Sequence, residues 1–209
     1  MKKIIVFSLM LFVIVNAFAQ KGIGFGLKGG LNFANVTGAG SISPSNKSGF
    51  HVGVFLSPAT KKIMAFRSEL LYSDQGYDFK KGNTTGTVGL KYIIIPQLTG
   101  INITKYFQLQ LGAQMAFLLN ATADSTASNG MSGQYGKVMD FYNKLDYGFA
   151  VGAEVHPFKG LLIGARYNIS LSNLYKMPDG SSSSPSYIPS SSSIDFKNNV
   201  VQIFTGWRF

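Results

Sequence analysis

From Phe107 to Asn120 the chain alternates between two chemistries. Phe107, Leu109, Leu111, Ala113, Met115, Phe117 and Leu119 fall on one face, and Gln108, Gln110, Gly112, Gln114 and Asn120 on the other. A period of two belongs to an extended strand lying between two different environments. Leu145 to His156 repeats the pattern, with Leu145, Tyr147, Phe149, Val151, Ala153 and Val155 set against Asp146, Gly148, Gly152, Glu154 and His156. Leu161 to Ser172 repeats it again, with Leu161, Ile163, Ala165, Tyr167, Ile169 and Leu171 set against Gly164, Arg166, Asn168, Ser170 and Ser172. Weaker versions at Gly22 to Val36, Phe50 to Ser57, Ile63 to Tyr77, Val88 to Gly100 and Asn199 to Phe209 bring the expected total to eight strands.

The two faces decide which environments these are. In a soluble sandwich the solvent face would carry the charges. Here the bulky face carries none, and the charged face is lined with glycine: Gly24, Gly26, Gly30, Gly53, Gly112, Gly148, Gly152, Gly164 and Gly206. After the first nineteen residues no apolar run is long enough to cross a bilayer as a helix, and a membrane protein without spanning helices must be a closed barrel. Small residues then line a narrow lumen, which in an eight-stranded barrel is just wide enough for side chains to fill. The links alternate in length, short at Pro58 to Lys62, Asn102 to Lys105 and Pro157 to Gly160, long at Thr37 to Lys47, Asp78 to Thr87, Ala121 to Asn143 and Tyr175 to Asn198. Short periplasmic turns and long outer loops are the outer-membrane arrangement. Aromatic belts are expected at Tyr106, Phe107, Phe158, Trp207 and Phe209 below and at Phe50, Tyr72, Tyr77 and Tyr175 above. The expected fold is therefore all-β, an eight-stranded antiparallel up-and-down transmembrane barrel.

The N-terminus supplies an export address. Lys2 and Lys3 precede an apolar stretch from Ile4 to Val15, and Ala17-Phe18-Ala19 offers small residues where a signal peptidase reads. Residues 1–19 are expected to leave as a cleaved signal peptide, and 20–209 to form one barrel domain in the outer membrane of a Gram-negative cell. The chain has no Cys, which removes disulfides, thiol catalysis and lipoprotein anchoring together.

Several segments resemble one family. Gly26-Leu27-Lys28-Gly29-Gly30-Leu31-Asn32, Ser68-Glu69-Leu70-Leu71-Tyr72-Ser73, Lys91-Tyr92-Ile93-Ile94-Ile95-Pro96, Leu145-Asp146-Tyr147-Gly148, Ala165-Arg166-Tyr167-Asn168 and Gly206-Trp207-Arg208-Phe209 are similar, in order and spacing, to the PorT-type outer-membrane β-barrel family. The resemblance spans nearly the whole mature chain and implies the fold. It also likens Phe209 to the terminal aromatic that barrel-assembly machinery recognises during biogenesis. The founding member is linked to type IX secretion, so an envelope or secretion-system protein is the kind of partner implied. Fold alone does not carry function.

Six charged residues share the expected inward register: Lys28, Lys91 and Arg166 against Glu69, Asp146 and Glu154. A balanced set in a narrow lumen reads as a network that closes it, because buried charge is costly unless paired. The alternative is a narrow channel or transporter for ions or small solutes, since charges within a membrane are often functional. The chain's two histidines, His51 and His156, fall near opposite ends of the barrel, and no catalytic constellation, metal-spaced cluster or phosphate loop is present, so neither an enzyme nor a cofactor is expected. The net charge of +10 falls to +8 when Lys2 and Lys3 leave with the signal. Lys61, Lys62, Lys105 and Lys159 lie in the short turns, where they either meet phospholipid headgroups or form a solvated fringe; Lys80, Lys81, Lys137, Lys144 and Lys176 could meet lipopolysaccharide at the other rim. No nucleic-acid partner is implied. Loop four carries a serine-rich tract, Ser181 to Pro185 and Ser190 to Ser193.

Overall fold

Each alternating segment becomes a strand, and the strands close on themselves. The computed structural model describes residues 23–37, 43–58, 63–81, 84–127, 132–176 and 196–209. The proposed signal segment, Lys61, Lys62 and the serine-rich tract lie outside them. In chain order the strands are β1 (Ile23–Thr37), β2 (Ser43–Pro58), β3 (Met64–Lys81), β4 (Thr84–Asn102), β5 (Phe107–Ala127), β6 (Ser132–Lys137), β7 (Leu145–Val155), β8 (Leu161–Ser170) and β9 (Lys197–Arg208). All pairings are antiparallel. The order β4-β3-β2-β1-β9-β8-β7-β5 is completed by β4 pairing with β5, which makes a closed ring of eight; β6 continues the line of β7 along the upper part of β5. Closure leaves no strand edge in the ring unpaired, as lipid requires.

Strand length divides the molecule into two zones. β7, β8 and β9 have 11, 10 and 12 residues, the length a tilted strand needs to cross a bilayer. β3, β4 and β5 run to 18, 19 and 21 residues. At about 3.3 Å per residue β5 extends roughly 70 Å, far beyond an apolar band of about 25 Å even when tilted. Much of what the sequence marks as loop is therefore strand. Thr37 to Lys47 contains the start of β2, and Asp78 to Thr87 is a hairpin between β3 and β4. The turn-forming Ser, Asn and Gly of these stretches masked their pairing, which Thr84, Thr85 and Thr87 favour through β-branched side chains. Within the lengthened β2, Lys47 pairs with Asp74 of β3 at 3.0 Å.

The interior is also more varied than a glycine-lined tube. Its upper half is an apolar core in which Leu71, Tyr77, Tyr92, Ile94, Leu118, Tyr142, Leu174 and Phe196 pack together. Two expected girdle residues belong to it. Tyr77 points inward, fully buried, and its hydroxyl lies 2.8 Å from that of Tyr142; Tyr175 packs against the same core. Lys91 makes the opposite error. Tyr92, Ile94, Pro96 and Leu98 are the buried side of β4, so Lys91 is exposed on the outside, opposite Asp74. The run Tyr92 to Ile95 has no alternation to fix its phase, and the demand for apolar partners at Leu71 and Leu118 overrides the assumption that a charge faces in. A bulge at Lys91/Tyr92 adds Leu119 to β5 and moves its buried residues from Ala116 and Leu118 to Ala121 and Ala123.

Gly30 shows how closely the wall is packed. A Cβ there would lie 2.0 Å from the Ile203 carbonyl oxygen of β9, whereas one at the outward Gly29 would meet nothing nearer than 3.5 Å. Gly30→Val is expected to abolish the folded band on unboiled gels, and Gly29→Ala to retain it.

Candidate functional site

Midway up the lumen, five charged side chains from four strands converge. β1 supplies Lys28, β3 supplies Arg67 and Glu69, β7 supplies Glu154 and β8 supplies Arg166; all are 4% exposed or less. Arg166 grips Glu69 with two parallel bonds, Nη1 to Oε2 at 2.7 Å and Nη2 to Oε1 at 2.8 Å. In the ring of eight, β3 and β8 stand four strands apart in either direction, so this pair spans the full diameter. Lys28 Nζ donates to the same carboxylate at 3.2 and 3.4 Å. Arg67 grips Glu154 by a second fork, both bonds 2.6 Å, and its Nη1 lies 4.0 Å from Glu69. Planar guanidinium against planar carboxylate is the geometry in which a charged hydrogen bond is strongest.

Neutral groups complete this layer. Gln110 Oε1 accepts from Arg166 Nη2 at 2.8 Å. The Phe204 ring lies 3.5 Å from Lys28 Nζ and 5.3 Å from the Arg166 guanidinium, and Phe55 lies 4.9 Å from that of Arg67, so aromatic faces cover the cations where carboxylates do not. Above it, Asn32 Nδ2 lies 2.7 to 2.9 Å from the Phe50 carbonyl, the Asp74 carbonyl and Ser73 Oγ, which share its two N–H groups, and its Oδ1 accepts from Gln202 at 3.1 Å. His51 Nδ1 lies 2.8 Å from that Oδ1, so this histidine is one member of an amide layer, with its Nε2 buried without a partner among the described residues.

Of the six residues expected in the network, Lys28, Glu69, Glu154 and Arg166 come together. Lys91 is outside the barrel, and Asp146 lies higher, accepting from Ser170 Oγ at 2.7 Å and from Ser172 Oγ. Arg67 is the member sequence reasoning missed. It stands two residues before Glu69 in an alternating strand, so the period itself points it inward. The layer thus holds three cations and two carboxylates, where three of each sign were expected.

Toward the short-turn end the lumen opens. Glu154 Oε1 is 3.0 Å from His156 Nε2, and below them a cavity of about 640 Å³ reaches Lys105, Lys159 and Arg208 at the mouth. Lys105 and Lys159 are exposed. Phe209 is exposed too, stacking on Phe25 with centroids 5.9 Å apart, while its N–H donates to the Phe25 carbonyl at 2.9 Å. Phe25, Trp207 and Tyr106 share this outer rim, and Phe50 and Tyr72, 6.0 Å apart, sit higher on the same surface.

A closed ring of eight antiparallel strands, apolar outside, with charged and amide layers at mid-lumen and aromatics at its rims, is an integral outer-membrane barrel. The chain belongs to the outer membrane protein beta-barrel domain family, which it matches over residues 18–176. The fold is similar to that of the attachment invasion locus protein of Yersinia pestis, solved in complex with the heparin analogue sucrose octasulfate; the TM-score is 0.50 and the identity 17%, covering 90% of this chain and 99% of that one. Neisserial surface protein A gives a TM-score of 0.48 at 11% identity, covering 90% of this chain and all of the other, at 100%. The outer membrane protein OprG of Pseudomonas aeruginosa gives 0.42 at 11%, covering 91% and 97%. Among curated protein sequences there is no significant match.

Removing one partner of a buried ion pair leaves the other uncompensated and typically costs about 3 to 5 kcal/mol. Glu154→Gln, which leaves three cations facing one carboxylate, should lower the temperature at which the folded gel band is lost. Lys80→Gln, on the exposed upper edge of β3, should not.

Proposed function

We propose that this outer-membrane barrel is a closed, non-enzymatic one, whose lumen is plugged by the charged network and whose rims and outer loops do its work in binding, envelope integrity or the assembly of a secretion system. The observation that carries this reading is the Arg166–Glu69 pair, which runs straight across the lumen with both partners buried. The amide layer around Asn32 and the apolar core around Leu71, Tyr92 and Leu118 stand above it, so an ion entering from below would have to displace three consecutive layers, the last of them dry. Water-filled conduits generally belong to barrels with more strands. The segment order noted above favours a PorT-type role in which a secretion-system or other envelope protein is the partner. Phe209, exposed at the C-terminus, fits recognition by the barrel-assembly machinery, and the lysines of both rims suit phospholipid and lipopolysaccharide phosphates.

The narrow-channel reading makes the opposite demand. Purified barrel in planar bilayers is expected to give no steady single-channel conductance at moderate voltage. Reproducible open steps of fixed size would favour the channel and end the plug.

A further inference from the structure

The cavity at the short-turn end is not part of the plug, and its charge is one-sided. Arg67 and His156 line its inner part, and both are engaged with Glu154; Arg67 Nε is buried there without a hydrogen-bond partner. Nearer the mouth the lining includes Lys105, Lys159 and Arg208, which make no ion pair among the described residues. Among the described residues no Asp or Glu lines the cavity. Arg208 is turned into the lumen by the β9 register, and its stem rests on Gly24, where an added Cβ would come within 3.0 Å of Arg208 Cδ. A Cβ at position 24 would crowd that stem, so Gly24 gives the Arg208 side chain room at the mouth. Three uncompensated cations around a half-enclosed space attract an anion, and a guanidinium beside two ammonium groups matches the several oxygens of a phosphate. The rim adds an apolar element, since Tyr106 and Phe158 both line the cavity and are exposed, as aromatics that meet headgroups are.

We infer that the periplasmic mouth is a binding site for a phosphate group, held by Arg208, Lys105 and Lys159 and backed by Arg67. The phosphate could come from a phospholipid headgroup of the inner leaflet or from a soluble phosphate ester, since both present the same oxygens. The site rests on the reading of the rim lysines as phosphate-facing and narrows it to one pocket, but it does not depend on the closed lumen, because a cavity open at one end binds whether or not the lumen conducts.

Two probes separate the sources. Glycerol 3-phosphate is titrated into the full-length barrel in dodecyl maltoside micelles, which carry no phosphate, and short-chain phosphatidylglycerol is titrated into the same micelles. The readout is the heat of binding in isothermal titration calorimetry. Saturable binding of glycerol 3-phosphate assigns the site to soluble phosphates, and binding seen only with phosphatidylglycerol assigns it to the headgroup; either supports the inference. The triple variant K105Q/K159Q/R208Q should weaken the response at least tenfold, while K80Q/K144Q/K176Q, which removes the same charge at the opposite end, should leave it unchanged. Should the first triple fail to give a folded gel band, R208Q alone should weaken binding at least threefold. A parent barrel that responds to neither probe, or two triple variants that respond alike, would overturn the assignment.

Discussion

The Arg166–Glu69 pair joins opposite walls of the barrel, and the rest of the lumen is arranged around it. Two charges buried in a narrow, lipid-surrounded tube are costly unless each finds its partner and most of its remaining hydrogen-bonding positions are filled, and Arg166 Nε is the position left without a partner among the described residues. That demand brings Lys28 to the same carboxylate and Gln110 to the same guanidinium. It also explains Phe204, whose ring covers the cations that two carboxylates cannot fully neutralise. Arg67 and Glu154 form a second crossing just beside the first.

Space for these long side chains comes from the wall. Where glycine faces inward, the neighbouring backbone or a large ring comes closer than a Cβ would permit, as at Gly30 against β9 and at Gly26 against Phe55. Above the charged layer the problem changes. Apart from Asp146, which two serine hydroxyls satisfy, the lumen is filled as a soluble core would be, by Tyr, Leu, Ile and Phe, and β3, β4 and β5 can rise beyond the bilayer without exposing their inner face. One barrel thus uses two solutions to the same filling problem, ionic at mid-depth and apolar above. Below, it leaves the space unfilled.

The period of two was sufficient to reveal strand number, direction and most of the inward register, because β5, β7, β8 and β9 each separate lipid-facing from lumen-facing residues cleanly. Lys28, Glu69, Glu154 and Arg166 were legible for that reason. Arg67 was legible too, from its spacing to Glu69, yet stayed uncounted. What the pattern could not show lies where both faces of a strand are apolar. In Tyr92 to Ile95 either phase satisfies lipid and core alike, and only the packing against Leu71 and Leu118 selects the one that turns Lys91 outward. Tyr77 failed for a related reason: an aromatic near a strand end suits a girdle or a core, and its hydroxyl partner Tyr142 lies 65 residues away. The extension of β2 to β5 was hidden by Ser, Asn, Gly and Thr, residues that serve turns and water-exposed strands equally.

The central claim is that the charged layer is a mutually dependent network across the lumen, and a double-mutant cycle on its longest link tests it most directly. Equilibrium unfolding in urea would be measured for the parent, Glu69→Leu, Arg166→Met and the double variant in the same lipid vesicles. Glu69→Leu takes the carboxylate from both Arg166 and Lys28, Arg166→Met leaves Glu69 to Lys28, and the double change leaves Lys28 as the one cation that has lost its carboxylate. The account therefore predicts that the double variant is more stable than the sum of the two losses by about 2 kcal/mol or more. Losses that add to within about 0.5 kcal/mol would show that Glu69 and Arg166 do not depend on one another, and would contradict it.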